Sequence, residues 1–136
     1  MSKRSSNQPK SSQPASSTIL VVDDDKAVCD LTASMLEIKG YRVLRASNAE
    51  EAIKLFHDHG SSIQLLVADI VMPHTSGPLL AQELRSRRPN LPVLFMSGLV
   101  SYGNFQGVMG GWFLRKPYTP QMLAEKVKEV IAAAAA

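Results

Sequence analysis

Four short apolar runs in the chain each stop at a residue able to do chemistry. Ile19-Leu20-Val21-Val22 stops at Asp23-Asp24-Asp25, the run 63–68 at Asp69, the run 92–96 at Ser97, and Trp112-Phe113-Leu114-Arg115 at Lys116. Carboxylates brought together at one place repel one another and raise one another's pKa values. A hard divalent cation relieves this. Mg²⁺ takes oxygen ligands in an octahedron, keeps several waters, and is held by one or two carboxylates plus phosphate oxygens. It also screens an anionic phosphodonor as it approaches an anionic nucleophile. An aspartate carboxylate can itself accept a phosphoryl group, whose equatorial charge is then stabilised by positioned cations and donors. Lys116 would supply a point charge, Ser97 a hydroxyl, and backbone N–H groups near Ile70, Val71 and Gly98 further donors.

These residues can meet only if the runs are neighbouring strands. Ile19-Leu20-Val21-Val22 is continuous and partly β-branched, as expected of a strand buried on both faces of a parallel sheet. Val28, Leu31, Met35 and Ile38 follow at helical spacing, with Gly40 as the stop. A second strand is predicted at 41–46. Asn48 then caps a helix with Glu51 in a capping-box position, and Ala49, Ala52, Ile53 and Phe56 form its apolar stripe. A Pro- and Gly-containing loop follows Asp69, and a third helix is predicted to reach about Arg88. Thr119-Pro120 reads as an N-cap with proline at the first helical position. Leu123, Val127, Val130 and Ile131 face inward on this last helix, which is expected to fray into polyalanine. Repeated β/α units joined by right-handed crossovers make a parallel sheet. Its ligand crevice lies at the strand C-termini, where Asp23, Asp24, Asp69, Ser97 and Lys116 all fall.

The 136 residues suit one compact domain. No apolar run approaches the roughly 20 residues of a membrane span, and the N-terminus has no secretory h-region. Residues 1–17 are rich in Ser, Pro and Lys and are expected to be a disordered leader, with the domain occupying 18–136. The formal charge of +3 comes from Lys3, Arg4 and Lys10 in that leader; the remainder carries twelve basic and twelve acidic residues. A neutral domain with a short basic tail argues against direct DNA binding. The single cysteine, Cys29, cannot form an internal disulfide and is expected to be a small buried side chain. A reducing, cytoplasmic compartment fits it.

The segments Ile19-Leu20-Val21-Val22-Asp23-Asp24-Asp25, Asp69-Ile70-Val71-Met72-Pro73 with Gly77, Phe95-Met96-Ser97-Gly98, and Lys116-Pro117-Tyr118-Thr119-Pro120 resemble the response-regulator receiver family in matching order. The resemblance covers roughly 18–132. It implies a flavodoxin-like, doubly wound α/β fold, with a five-stranded parallel sheet of order 2-1-3-4-5 and about five helices. It implies Asp69 as phosphoacceptor. Asp24, Asp69 and the Val71 carbonyl would ligate Mg²⁺, with Asp23 a direct or water-mediated partner. Lys116 would contact the phosphoryl group through a loop with a cis bond to Pro117. Ser97 would be the switch hydroxyl and Phe113 the aromatic switch. The implied role is signalling and not enzymatic, with a histidine kinase or histidine phosphotransfer protein as donor, an unidentified downstream protein, and homodimerisation on phosphorylation as a compatible output. With nothing after the last helix, the chain is expected to be a stand-alone regulator, a relay, or the receiver of a hybrid sensor kinase.

Lys116 follows Ser97 by only 19 positions, a short interval for the family, and 103–111 holds four glycines. The fourth helix is therefore expected to be short. Val71 and Leu99, two residues past Asp69 and Ser97, cannot orient a water, so the phosphoryl group should be long-lived. Two other readings stand beside this one. Asp23-x-Asp25 nominally matches a haloacid-dehalogenase-type aspartyl phosphatase, although a cap insertion and a late acidic cluster are missing. A binding module that keeps only the fold is disfavoured by Asp24, Asp69, Ser97 and Lys116. Asp25 reads as a helix N-cap. His57, His59 and the Arg85, Arg87, Arg88 cluster read as solvated helix ends, and His74 as a spectator.

Overall fold

The computed structural model describes residues 17–98 and 111–135. Strand β1 (Thr18–Val22) is buried along its whole length and lies between β2 (Arg42–Ala46) and β3 (Ile63–Asp69). β3 in turn pairs with β6 (Val93–Ser97), and β6 with β7 (Trp112–Arg115), all in parallel. The order β2-β1-β3-β6-β7 is the expected 2-1-3-4-5 order of a flavodoxin-like sheet.

The helices α1 (Lys26–Ile38), α2 (Ala49–His59), α3 (Gly77–Arg85) and α4 (Pro120–Ala135) cover both faces. Ile19, Val21, Leu65, Val67, Leu94 and Met96 point to one side, against Cys29 and Leu36 of α1 and Leu123, Val127 and Val130 of α4. Leu20, Val22, Leu66, Ala68, Val93 and Phe95 point to the other, against Ala52 and Phe56 of α2 and Leu80 and Leu84 of α3. Two apolar faces on each strand are the reason the runs read as continuous. The predicted short fourth helix, like Leu99, falls on 99–110, outside the described residues.

Local chemistry sets the element ends. Asp25 caps α1, accepting from the N–H groups of Ala27 and Val28 at 3.0 and 3.2 Å. After α1, Gly40 takes φ 101°, and the N–H groups of Gly40 and Tyr41 close on the carbonyls of Glu37 and Leu36. This is a Schellman stop, which a left-handed glycine makes easy. It consumes Tyr41, so β2 starts one residue later than the spacing predicts. Asn48 caps α2 through the Glu51 N–H at 2.8 Å, while the Glu51 carboxylate accepts from the N–H and hydroxyl of Ser47, one residue before the cap. Thr119 caps α4 through the Met122 N–H. That helix does not fray at its alanines but continues to Ala135, as the high helix propensity of alanine allows.

Three further expectations shift. The buried face of α1 is Cys29, Thr32, Ala33 and Leu36, whereas Leu31 and Ile38 of the predicted stripe are 58% and 83% exposed. Small side chains let α1 lie close to the sheet, and the Thr32 hydroxyl finds a partner there. Helix α3 ends at Arg85, short of the expected Arg88, and Pro89 has no N–H with which to continue the helical ladder to the Arg85 carbonyl. Of the three arginines at and beyond this end, Arg87 is exposed, but Arg85 donates to the Leu91 carbonyl and Arg88 to the carbonyls of Gly60 and Ile63. Finally, Ser17 is buried, with its carbonyl accepting from Arg42 and its hydroxyl bonded to Gln64. Ser17, assigned from sequence to the leader, is thus packed against β2 and β3.

Candidate functional site

Each site residue is delivered by the C-terminal end of a strand. β1 ends at Val22, and Asp23 follows with its N–H on the Ala46 carbonyl, so the chain leaves the sheet still bonded to its neighbour. Asp23 is 1% exposed. Its Oδ1 accepts from the Asp25 N–H at 2.9 Å and its Oδ2 from Lys116 Nζ at 3.1 Å. Asp24 is exposed beside it. Asp69 closes β3, half-buried, and Lys116 Nζ reaches its Oδ2 at 3.4 Å. Carboxylate oxygens of Asp23, Asp24 and Asp69 lie within 4.8 Å of one another.

Lys116 is set between Asp23 and Asp69 by the turn after β7. Its N–H donates to the Ser97 carbonyl at 2.8 Å, so the lysine and the end of β6 are locked together. The bond to Pro117 is cis, as the family resemblance implies. Ser97 is itself buried at the last position of β6. The loop after Asp69 forms a small antiparallel hairpin, β4 (Val71–Met72) with β5 (Thr75–Ser76), turned through His74 at φ 68°. Val71 is exposed on that hairpin. The Gly77 N–H then bonds the Ile70 carbonyl, and a side chain at Gly77 would meet the Asp69 carbonyl at 2.4 Å. Only glycine lets α3 start this close to the acidic residue.

The electrostatics follow from burial. Asp69 stands above the ordinary carboxylate pKa, chiefly because burial disfavours its charge, and the carboxylates of Asp23 and Asp24 push the same way against the pull of Lys116. Burial works to lower the Lys116 pKa, but Asp69 and Asp23 together more than offset it, so the ammonium is held charged. Fully ionised, three carboxylates and one ammonium leave two negative charges in excess. The donors are all hard carboxylate oxygens. Oxygens around an octahedral Mg²⁺ at about 2.1 Å lie roughly 3–4.2 Å apart, close to the spread found here. The residues fit a divalent hard cation.

The sequence matches the response regulator receiver domain family over residues 19–128. The chain belongs to that family. Among its curated relatives, the sensor kinase CckA of Brucella abortus is 34% identical over 119 residues, spanning 85% of this chain and 13% of CckA. The transcriptional regulatory protein YrkP of Bacillus subtilis is 35% identical over 112 residues, spanning 80% of this chain and 47% of YrkP. The receiver thus corresponds to a minor part of the first and about half of the second. Solved structures agree: a receiver domain protein from Clostridium thermocellum superposes with a TM-score of 0.79 at 31% identity, covering 86% of this chain and 95% of that one. The receiver domain of the hybrid histidine kinase CckA gives 0.72 at 36% identity, covering 84% and 98%.

Of the residues singled out from sequence, the structure brings Asp23, Asp24, Asp69 and Lys116 to one spot in this receiver and places Ser97 beside the lysine backbone. Phe113 is half-buried against Phe95, with ring centroids 5.6 Å apart. His74 is exposed at the hairpin tip, and Cys29 is buried. Two residues escaped sequence reading. Tyr118 places its hydroxyl 2.6 Å from Thr32 Oγ1 and 3.1 Å from Met96 Sδ. Burial raises its pKa, so the phenol keeps its proton at neutral pH. Positions 32 and 118 are too far apart in sequence for any local pattern to join them.

Proposed function

We propose that this receiver accepts a phosphoryl group on Asp69 from a phosphohistidine donor in a two-component pathway. The observation carrying the proposal is the convergence of three carboxylates with Lys116 at 3.4 Å from Asp69. Asp69 attacks phosphorus, the P–N bond breaks, an acyl phosphate forms, and the donor imidazole leaves with the electron pair of that bond. Asp24, Asp69 and the Val71 carbonyl would hold Mg²⁺. The ion would neutralise charge on the transferring group. Both oxygens of Asp23 already accept hydrogen bonds, which favours a water-mediated role for it. Lys116 steadies the phosphoryl oxygens, and the Ser97 hydroxyl turns toward them, letting Phe113 repack and change the outer surface. The donor would be a histidine kinase or a histidine phosphotransfer protein in the cytoplasm. Output would pass to a downstream protein or to a second receiver. In this reading the receiver serves signalling and is not a turnover enzyme. Asp25, engaged as a helix cap, is poorly placed to serve the phosphatase alternative.

Incubation with Mg²⁺ and acetyl phosphate, followed by intact mass, tests the reading. A one-phosphate adduct that needs Mg²⁺ and is absent from Asp69→Ala is expected. An adduct that survives Asp69→Ala and is lost in Asp23→Ala would favour the phosphatase-type chemistry, and no adduct on folded, Mg²⁺-binding protein would favour the binding module. With exposed Val71 near the acceptor unable to orient a water, the adduct should persist for minutes after donor removal. Loss within seconds contradicts that.

A further inference from the structure

Three chain segments that carry site residues meet a second time beneath the site, at one hydroxyl. Tyr118 lies two residues past Lys116. Thr32 is on α1, the helix that directly follows the aspartate run, and Met96 immediately precedes Ser97. Thr32 and Met96 are buried at 1% and 0% exposure, so neither can exchange its partner for bulk water. A phenol has one proton. The arrangement that satisfies all three groups has Thr32 donating to the Tyr118 oxygen at 2.6 Å and Tyr118 donating to the Met96 sulfur at 3.1 Å. The same helix face explains why a threonine lies inward on α1 where an apolar residue would be expected.

We propose that the Tyr118 hydroxyl is a positioning group for Lys116, tying the β7–α4 turn to α1 and β6 so that the ammonium stays between Asp23 and Asp69. The turn is held to β6 on one side of Pro117 by the Lys116 N–H bond to Ser97. The tyrosine bond ties it to α1 and β6 on the other side of Pro117. A lysine side chain has four rotatable bonds, so its placement at two carboxylates depends on a fixed backbone. This inference rests on the phosphoacceptor reading above.

The test compares initial rates of Mg²⁺-dependent labelling by acetyl phosphate in wild type, Tyr118→Phe, Thr32→Val and the double variant, with Mg²⁺ affinity measured by calorimetry. Tyr118→Phe and Thr32→Val remove one hydroxyl each and little volume, and either can carry the test if the other fails to fold. Each should slow labelling about threefold to tenfold, the worth of one hydrogen bond. The double variant should be no slower than either alone, Mg²⁺ affinity should be unchanged, and Thr32→Ser should restore the rate. Labelling of Tyr118→Phe within about twofold of wild type, losses that multiply in the double variant, or Mg²⁺ affinity falling in step with rate would overturn the inference while leaving Asp69 as acceptor. A wild type that takes no label would overturn both.

Discussion

At the C-terminal ends of β1 and β3, three carboxylates cluster, two of them paired with the Lys116 ammonium, and Asp69 is held above its ordinary pKa. At the opposite end of the sheet, Arg88 gives its guanidinium to the carbonyls of Gly60 and Ile63, stacks over Phe56, and Arg85 bonds the Leu91 carbonyl. Charge at the first end is crowded, with three carboxylates near one ammonium. At the second it is spent on backbone carbonyls at a helix end and in the loops that lead into the strands. One sheet therefore has an end organised for chemistry and an end organised for stability, and substitutions should separate the two.

The largest separation is expected from Lys116→Ala. Removing a positioned cation from a phosphoryl-transfer site should slow labelling by acetyl phosphate about a hundredfold, with the protein still folded by circular dichroism. A labelling rate equal to wild type would mean the ammonium is merely structural. Arg88→Met is the converse. It should lower the unfolding free energy in urea by about 1–3 kcal/mol, because two carbonyls lose a charged donor, and leave the labelling rate as it is. A rate loss there would dissolve the contrast between the two ends.

Asp69→Asn sharpens the comparison in the other direction. A carboxyl whose folded pKa is raised stabilises fully below its unfolded value, here 3.8, and that contribution is lost as pH rises through the higher folded value. In EDTA, wild type should therefore lose stability over that window while Asp69→Asn does not, and the variant should melt higher at neutral pH. Parallel melting profiles of the two proteins would contradict the crowding. The smallest effect belongs to Asn48→Ala. This residue caps α2 at the chemical end of the sheet but outside the carboxylate cluster. It should cost about 1 kcal/mol of stability with labelling unchanged, confining the chemistry to the cluster.

Much of the chemical end was legible in sequence because its logic is local. An apolar run of two-faced strand followed at once by Asp, Ser or Lys states both the strand and the edge, and Asp25, Asn48 and Thr119 announce their helices by capping chemistry. The stabilising end was not legible. The bonds from Arg88 to Gly60 and Ile63 span 28 and 25 residues, and a run of arginines near a helix end looks the same whether solvated or clamped. The face of α1 was misjudged for a related reason. Leu31 and Ile38 outrank Cys29, Thr32 and Ala33 in hydrophobicity, yet close packing and the Tyr118 hydroxyl, 86 residues away, turn the smaller residues inward. The small hairpin after Asp69 also escaped, since two-residue strands leave no periodic pattern.

The central assignment is tested most directly by locating the phosphoryl bond. Protein labelled with acetyl phosphate and Mg²⁺ is reduced with borohydride, which turns an aspartyl phosphate into homoserine, and the residue is identified by peptide mapping. Homoserine at position 69 alone is the expected result. Homoserine at 23 or 24, or label that leaves no homoserine at all, would contradict Asp69 as the acceptor.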